Sequence, residues 1–245
     1  MAAPPDWIEP DWPAPRSVKA LVTTRNGGVS RGPYASLNLG VRVGDDARAV
    51  SENRARLRAV LPSEPKWLEQ VHGIDVVKAD FTHGETTADA AYTHVPEVVC
   101  CVQIADCLPV LLCDRAGSRV AAAHAGWRGL SAGVLEQTVS ALGVPPEELM
   151  AWLGPAIGPK KFEVGADVFE KFTVHDPQAS MAFESVRTGK WLADLYALGR
   201  RRLSRAGVTA VFGGGLCTFS DAARFFSHRR DRVTGRQGAF IWIGA

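Results

Sequence analysis

Residues 98–125 read VVCCVQIADCLPVLLCDRAGSRVAAAHA and contain three apolar runs separated by short polar segments. The first run, residues 98–104, is nearly all apolar, which is typical of a strand covered on both faces of its sheet. Residues 109–113 and 119–123 continue this pattern and are predicted to be further strands. The stretch therefore predicts a buried central sheet, with a cysteine and a histidine at strand ends.

The elements outside this stretch alternate irregularly between strand and helix. Apolar residues over 127–142 have helical spacing, and Gly143 is a suitable residue to end that helix. Further strands are predicted at 19–25, 67–71, 74–79, 149–153, 208–212 and 239–243, and further helices from an Asp45–Asp46 cap to residue 61, near 165–172 and at 192–206. Because clean repeating βαβ units are missing, the sequence predicts an α+β fold.

Size and composition fit one catalytic domain. The 245 residues are 46% hydrophobic and 22% charged, and they contain no convincing linker, so we expect an extended N-terminal arm over 1–17 and a single domain over 18–245. A net charge of +2 is too small for the footprint of a nucleic-acid binder. The longest apolar stretch, 98–113, contains polar residues and is too short to span a bilayer. We expect neither nucleic-acid nor membrane partners.

The termini and cysteines indicate the compartment. The N-terminal sequence MAAPPDW has neither the basic nor the apolar region of a secretory signal, so a cytoplasmic location is expected. Five cysteines in such a chain argue against disulfides, because cytosolic thiols are kept reduced. The thiols are therefore expected to fill the core or bind a ligand. A monomer is expected, since there are no heptads or repeats.

Three distant motifs each carry a metal-binding side chain beside an apolar run. They are QVHG at 70–73, ADC at 105–107 and HAGWRG at 124–129. Zinc binds imidazole nitrogen and thiolate sulfur, and a catalytic zinc has three protein ligands and one open position. His72, Cys107 and His124 are therefore a sufficient ligand set, although their spacing matches no local zinc-finger pattern.

A plainer interpretation treats these residues as structural. A lone histidine is usually hydrogen-bonded and a lone cysteine is usually buried, which fits Cys100, Cys101 and Cys113. It fits Cys107 less well, because the aspartate before it and Pro109 after it indicate a strand end that opens to solvent. The sequence leaves both interpretations open.

Eight motifs from residue 23 to the C-terminus resemble those of the YfiH family, also called the laccase-domain or polyphenol oxidase family. They are TTRNGGVSRGPY, SLNLG, QVHG, ADCLPVLL, AAAHAGWRGL, WLGPAIGP, FEVG and FFSHRRD. The resemblance implies a single-domain four-layer α/β/β/α sandwich with mixed sheets. It also implies that zinc is bound by His72, Cys107 and His124.

The resemblance further implies activity on purine nucleosides: phosphorolysis of adenosine, inosine and methylthioadenosine to base plus (methylthio)ribose 1-phosphate, and deamination of adenosine. For deamination, zinc lowers the pKa of its water to roughly 7, which provides hydroxide to attack the purine C6. Asp106 and Glu163 are the candidate proton-transfer groups. The H-x-E and P-C-x-x-C signature of base deaminases is absent, so deamination would use another scaffold.

Phosphorolysis requires phosphate near the ribose C1′, and the arginine fork matches phosphate oxygens. The residues proposed to contact phosphate, ribose or base are Arg25, Asn38, Gln70 and Arg128. Arg229 and Arg230 could bind phosphate instead. Phe162 and Trp127 are candidates to stack on a purine. The plainer interpretation is a surface ion pair for the arginines and core packing for the rings.

The oxidase name of the family suggests copper. A blue copper centre uses two histidines and a cysteine, but a multicopper oxidase needs a further cluster of histidines. The chain has six histidines, and His83, His94, His175 and His228 lie in polar segments with no spacing that pairs them. The sequence therefore argues against multicopper oxidation, whereas weak oxidase activity with Cu²⁺ in vitro stays open.

Two other functions compete with the nucleoside enzyme. In the first, Cys107 is a thiolate nucleophile and His72 or His124 its base, giving an amidase or deamidase; the resemblance links some members to peptidoglycan-precursor editing. Stoichiometric zinc on Cys107 would count against this function. In the second, zinc only stabilises the fold, but then four protein ligands are expected and three are evident.

Overall fold

The computed structural model describes residues 6–81, 84 and 86–245. The strands are β1 (Val18–Val22), β2 (Leu68–Glu69), β3 (Val76–Lys78), β4 (Thr86–Thr87), β5 (Ala90–Thr93), β6 (Cys100–Ile104), β7 (Leu108–Asp114), β8 (Val120–Ala125), β9 (Leu149–Leu153), β10 (Glu163–Gly165), β11 (Phe183–Arg187), β12 (Lys190–Ala193), β13 (Ala210–Gly213) and β14 (Gln237–Ile243). The helices are α1 (Ala47–Arg58), α2 (Trp127–Ala132), α3 (Val134–Leu142), α4 (Ala166–Thr173), α5 (Leu195–Arg205) and α6 (His228–Asp231).

A six-stranded mixed sheet lies at the centre, in the order β13-β9-β7-β8-β5-β3. Its outer pairs β13–β9 and β3–β5 are parallel, and the strands between them are antiparallel. Strands β7 and β8 are buried at every residue, as expected for strands covered on both faces. A second sheet, β1-β14-β6, is antiparallel. The predicted single-domain α+β fold with mixed sheets is confirmed.

Three apolar cores cover the sheets. On one face of the central sheet, Val110 and Leu112 pack with residues of α2 to α5, and on the other face Leu111 and Cys113 pack with the β1-β14-β6 sheet. The far side of that second sheet packs against Leu57 of α1. The alternation along β7 is the two-residue period of a strand, so successive side chains enter different cores. Cys100, Cys101 and Cys113 are buried and free, as core cysteines should be.

Three predicted helices differ from the structure, and the first of them, expected to reach residue 61, ends at Arg58. The single helix expected over 127–142 is divided at Gly133, whose φ of 113° lies in the left-handed region that favours glycine and ends α2 before α3 begins. The helix expected from residue 192 begins at Leu195, because the Asp194 side chain accepts hydrogen bonds from Tyr196 N and Ala197 N. Residues 190–193 instead form β12, which pairs with β11 in a hairpin absent from the prediction.

The N-terminal arm lies along β1. Ile8 and Val22 exchange two backbone hydrogen bonds of 2.9 and 2.8 Å, and Trp7 is buried. Residues 1–5 of the predicted arm lie outside the described residues, and its boundary at residue 17 stays a prediction. Within the described part of the chain, none of the helices has the length and hydropathy needed to span a bilayer.

Candidate metal centre

The structure brings His72, Cys107 and His124 together at one end of the central sheet. His72 follows β2, Cys107 directly precedes β7, and His124 lies near the end of β8. Because β7 and β8 are antiparallel, with Pro109 opposite His124, the start of β7 lies beside the end of β8. The Cys107 Sγ is 3.6 Å from the His72 Nε2, and the three potential ligand atoms lie within 4.8 Å of one another. This group could hold a metal ion.

One carboxylate, missed by the sequence analysis, positions both histidines. Asp89 is fully buried, and its Oδ1 lies 2.7 Å from the His124 Nδ1. The same carboxylate accepts backbone hydrogen bonds from Val71, His72 and Gly73, of 3.1, 3.0 and 2.6 Å. An Nδ1–H donated to Asp89 leaves the Nε2 of His124 to face the metal centre. Nothing in the sequence distinguishes Asp89 from the other 25 acidic residues, because its hydrogen-bond partners come from two distant segments of the chain.

The backbone turns at His72, between β2 and β3. Its φ of 61° is in the left-handed region, which a histidine rarely adopts. The three backbone hydrogen bonds to Asp89 surround this residue and offset the cost of the conformation. The turn directs the His72 ring toward Cys107 and places it edge-on to the His124 ring, with the ring centroids 4.8 Å apart.

The electrostatics of the metal-free group favour a charged pair. Burial raises the pKa of Cys107, but the His124 charge and the hydrogen bonds of both histidines outweigh it and lower this pKa to about 6. Burial lowers the pKa of His124, but the Cys107 thiolate and Asp89 outweigh it and raise this pKa to about 9. At pH 7 the metal-free site therefore holds a thiolate, the protonation state in which cysteine binds a metal.

We expect the Cys107 thiol of metal-free protein to be alkylated at a rate that rises with pH and reaches half its plateau near pH 6, because the thiolate is the reacting form. Iodoacetamide labelling followed by mass spectrometry checks this, in a Cys217→Ser background that removes the other partly exposed thiol. Saturating zinc should suppress the labelling. A midpoint near the ordinary thiol value of about 8.5 would contradict the geometry.

Gly126, at the N-terminus of α2, makes room for the metal centre. A Cβ at this position would lie 2.8 Å from the His72 Cδ2 and 2.9 Å from the Cys107 Sγ, closer than such contacts allow. Its φ of −61° suits any residue, so Gly126→Ala adds only this collision. We expect Gly126→Ala to fold but to bind zinc at least about tenfold more weakly, measured by competition with a chelator. Exposed Ala132, replaced by serine in the same helix, is the control; equal affinity in both variants would contradict the expectation.

A cavity of about 450 Å³ opens beside the metal centre. Its lining contains three arginines and three histidines and no aspartate or glutamate. The charged or titratable lining residues are Arg42, Arg128, Arg236, His72, Cys107, His124 and His228. A concave surface of this charge favours ligands with anionic or electron-rich groups.

Two of the predicted substrate residues line this cavity. Arg128 is exposed, and its guanidinium lies over the Trp127 ring, 4.4 Å from the centroid. The amide of Gln70 is paired with the backbone of Gln103: its Nε2 donates to the Gln103 oxygen at 2.8 Å, and its Oε1 accepts from the Gln103 nitrogen at 2.7 Å. Each end of that amide has one further hydrogen-bonding position for a ligand.

The other two predicted substrate residues support loops. Arg25 donates to the backbone oxygens of Ala35 and Ala222, at 2.8 and 3.1 Å, and is not among the cavity-lining residues. Asn38 is fully buried, and its Oδ1 accepts from the backbone nitrogens of Gly40 and Arg236, both at 2.9 Å. Asn38 therefore holds the cavity wall in place.

Neither predicted proton-transfer group lies in the cavity lining. The buried Asp106 accepts hydrogen bonds from the Thr218 hydroxyl at 2.6 Å and the Arg229 backbone nitrogen at 2.7 Å. Glu163 pairs with exposed Arg187 at 2.9 Å. Both carboxylates therefore make contacts within the protein, and their part in proton transfer stays a prediction.

The remaining candidates also make contacts within the protein. The Arg229 Nη1 donates to the Glu163 backbone oxygen at 2.8 Å, and its guanidinium covers the buried Phe162 ring. Arg230 donates to the backbone oxygens of Thr218, Phe219 and Phe225.

The histidines outside the metal centre are dispersed. His94 contacts Lys78 at 3.3 Å, and His228 lies at the cavity, a position that its loop-like sequence did not reveal. His83 lies outside the described residues. Within 6–81, 84 and 86–245, the three-ligand group at His72 is the one potential metal site with three or more ligands.

Fold and site together define a single-domain α+β protein with mixed sheets and an open His–Cys–His group. The chain belongs to the YfiH or laccase-domain family: residues 19–244 match the family model described as multi-copper polyphenol oxidoreductase laccase. It is 57% identical to a purine nucleoside phosphorylase of Pseudomonas aeruginosa, over 97% of this chain and 98% of that protein. It is 55% identical to the purine nucleoside phosphorylase YfiH of Escherichia coli, over 96% and 98% of the two chains.

Solved structures agree with this membership. The crystal structure of Neisseria meningitidis protein NMB0706 superposes with a TM-score of 0.95 at 52% identity, covering 98% of this chain and 100% of that one. That of YlmD from Geobacillus stearothermophilus superposes with a TM-score of 0.87 at 33% identity, covering 94% and 93%. The described fold is therefore the fold of the family.

Proposed function

We propose that this protein is a zinc-dependent purine nucleoside phosphorylase that cleaves adenosine, inosine and methylthioadenosine and also deaminates adenosine. The observation that carries the proposal is a His–Cys–His group that opens into a cavity without acidic side chains. Relatives named purine nucleoside phosphorylase, 55–57% identical over nearly the whole chain, support this choice of substrate class.

The donor set fits zinc. Tetrahedral zinc with bonds of about 2.05 Å to nitrogen and 2.3 Å to sulfur has a nitrogen-to-sulfur edge of about 3.5 Å. The observed separation of Cys107 Sγ and His72 Nε2 is 3.6 Å. Three protein ligands would leave one position open, which is the arrangement of a catalytic site, and all three ligands line the cavity. The thiolate and the imidazole orientation set by Asp89 are also those that zinc requires.

Phosphorolysis breaks the C1′–N9 bond of the nucleoside and joins C1′ to a phosphate oxygen. The proton lost by hydrogen phosphate is taken up by the departing purine, so base and ribose 1-phosphate are the products. In this proposal Arg128 supplies positive charge toward phosphate at the cavity mouth, and Gln70 uses its two free hydrogen-bonding positions on ribose or base. Arg25 and Asn38 act indirectly, by holding the loops around the cavity.

Deamination of adenosine consumes water and releases ammonia and inosine. When bound, zinc supplies Lewis-acid activation for such chemistry. The chain's own contribution is to position the two histidines through Asp89 and to leave room for the metal centre at Gly126, while the buried Asp106 fixes the backbone beside Cys107.

The test uses zinc-loaded protein incubated with adenosine, with and without phosphate. We expect adenine and ribose 1-phosphate only when phosphate is present. Deamination should give inosine without phosphate, and inosine together with its phosphorolysis product hypoxanthine with phosphate. Metal content is measured on the same sample by mass spectrometry. No turnover of any purine nucleoside by protein with stoichiometric zinc would overturn the proposal.

A Cys–His amidase acting in peptidoglycan-precursor editing is the second candidate. The specific observation in its favour is the Cys107 thiol, which lies 3.6 Å from the His72 Nε2. Burial raises the pKa of this thiol, but the His124 charge outweighs burial and lowers the pKa to about 6. A nucleophile must be free of metal, so activity of the metal-free protein on peptide amides, lost on adding zinc, would favour this function. Copper-dependent polyphenol oxidation is the weaker alternative, since one three-ligand group does not make a multicopper cluster.

Three further expectations belong to the same proposal. The three apolar cores support a four-layer α/β/β/α order, with α1 outermost on one side and α2 to α5 on the other. We also propose a monomer and a cytoplasmic location, which sedimentation and cell fractionation would check.

A further inference from the structure

Arg236 directly precedes β14 and lines the cavity beside the metal centre. It is partly buried, and its Nη1 donates to the backbone oxygens of Thr234 and Gly235 at 3.2 and 3.0 Å. Among the described residues, no carboxylate lies within ion-pair distance of this guanidinium, and its Nε and Nη2 groups make no hydrogen bond. A positive charge with free donors therefore faces the cavity.

The surrounding chain fixes this side chain. The Arg236 backbone nitrogen donates to the Asn38 Oδ1 at 2.9 Å, and the Leu39 nitrogen donates to the Arg236 oxygen at 3.0 Å. Gly40 lies against the aliphatic part of the side chain, because a Cβ there would come within 2.9 Å of the Arg236 Cγ. The guanidinium is thus preorganised, which reduces the entropy lost when it binds a ligand.

The other two arginines of the cavity are placed differently. Arg42 is neutralised by Glu69, with a nitrogen-to-oxygen distance of 2.9 Å, and both side chains are exposed. Arg128 is exposed and lies over Trp127. Arg236 is therefore the arginine of the lining that combines partial burial with the absence of a carboxylate partner in the described chain. Such a charge is stabilised when an anion binds it with charge-assisted hydrogen bonds.

Electrostatics agree with a position close to the metal centre. Burial lowers the pKa of Arg236. The negative charges of Cys107 and Asp106 oppose this effect by raising the pKa. The guanidinium nevertheless keeps its charge at any physiological pH. An anion bound to it would therefore lie beside the metal centre.

We propose that Arg236 is the residue that binds inorganic phosphate as the co-substrate, with Arg128 contributing charge from the mouth of the cavity. The inference rests on the proposed phosphorylase function and names the residue that this function requires. The Nε and Nη2 groups of arginine form a planar fork that matches two phosphate oxygens. The same chemistry would accept the phosphate of a nucleotide, so the test includes both sources.

The test compares zinc-loaded wild type with Arg236→Met and Arg236→Lys. Loss of a charge-assisted pair of hydrogen bonds should raise the KM for phosphate about 10- to 100-fold in Arg236→Met and less in Arg236→Lys, which keeps the charge without the fork. The KM for adenosine should change less than about twofold. Exposed Arg48 of α1, replaced by methionine, is the charge-matched control, and thermal unfolding confirms that each variant folds.

Calorimetric titration without nucleoside separates this inference from the proposed function. We expect inorganic phosphate to bind wild type and Arg48→Met but not Arg236→Met; this result supports Arg236 even if no nucleoside is cleaved. Phosphorolysis with an unchanged KM for phosphate in Arg236→Met would overturn the inference and leave the function standing. Binding of adenosine monophosphate without binding of inorganic phosphate would overturn the co-substrate assignment. An equal loss in Arg42→Met would show a general charge effect and also overturn it.

Discussion

Cys107→Ala is expected to lose the proposed zinc binding and to lower the proposed phosphorolysis and deamination rates at least about 1,000-fold, a loss of about 4 kcal/mol. The substitution removes the one thiolate of the three-ligand group, and two imidazoles alone hold zinc weakly. Zinc content by mass spectrometry and initial rates at saturating zinc check the two parts of the expectation separately.

Cys217→Ser is the matched control for Cys107→Ala. Cys217 is a partly exposed free cysteine whose Sγ accepts backbone hydrogen bonds from Gly158 and Ser220, and it is not among the residues of the metal centre. It should keep stoichiometric zinc. If Cys107→Ala retained both its metal and full activity, the proposed metal centre would be wrong.

Asp89→Asn should weaken zinc binding about 10- to 100-fold and destabilise the metal-free protein by about 3–5 kcal/mol. The Oδ1 faces the His72 nitrogen and the His124 ring, and the Oδ2 faces the nitrogens of Val71 and Gly73. An asparagine must place its NH₂ group against donors on one of these sides. A buried N–H that faces another N–H has no partner, and this costs free energy because Asp89 is fully buried.

The effect of Asp89→Asn on metal-free protein should depend on pH. Burial raises the pKa of Asp89, but the hydrogen bond and charge of His124 and the hydrogen bonds of the turn outweigh it and hold this pKa below its ordinary value. This contribution is therefore present above the unfolded value of about 3.9 and is lost as the pH falls through the folded pKa. The His124 pKa is raised to about 9, so its contribution is complete below about 6.5 and is lost as the pH rises through about 9.

The difference in unfolding free energy between wild type and Asp89→Asn should thus be largest between about pH 4 and 6.5 and should shrink on either side. Urea unfolding at a series of pH values in the presence of a chelator measures it. Asp75→Asn is the control, because Asp75 is exposed and close by in the chain. A difference that does not vary with pH would argue against an ionic Asp89–His124 pair.

Local sequence predicted most of the buried sheet. Strand β9 has the predicted bounds, and β6, β7 and β8 differ from prediction by one or two residues at their ends. Burial on both faces leaves a strand mostly apolar, so a short apolar run bounded by polar segments indicates it. The break at Gly133 escaped prediction, because a glycine within a helical pattern does not show whether the chain turns there.

The types of side chain at the metal centre were also evident from motifs in the chain. The chemistry of zinc restricts its ligands to few residue types, and the chain contains only six histidines and five cysteines. His72, Cys107 and His124 could therefore be proposed before any coordinates, although their convergence could not be derived from their spacing.

The partners of these residues depended on tertiary structure. Asp89 reaches His124 across 35 residues, and Asn38 anchors Arg236 across 198, so no local pattern could reveal either contact. Arg25, Asn38 and Arg236 are all polar in the sequence, yet only the fold decides which one faces the cavity. Composition and periodicity report how much of a side chain is buried, whereas the choice of a hydrogen-bond partner requires two atoms within about 3 Å, and that distance is set by how the sheets and loops pack.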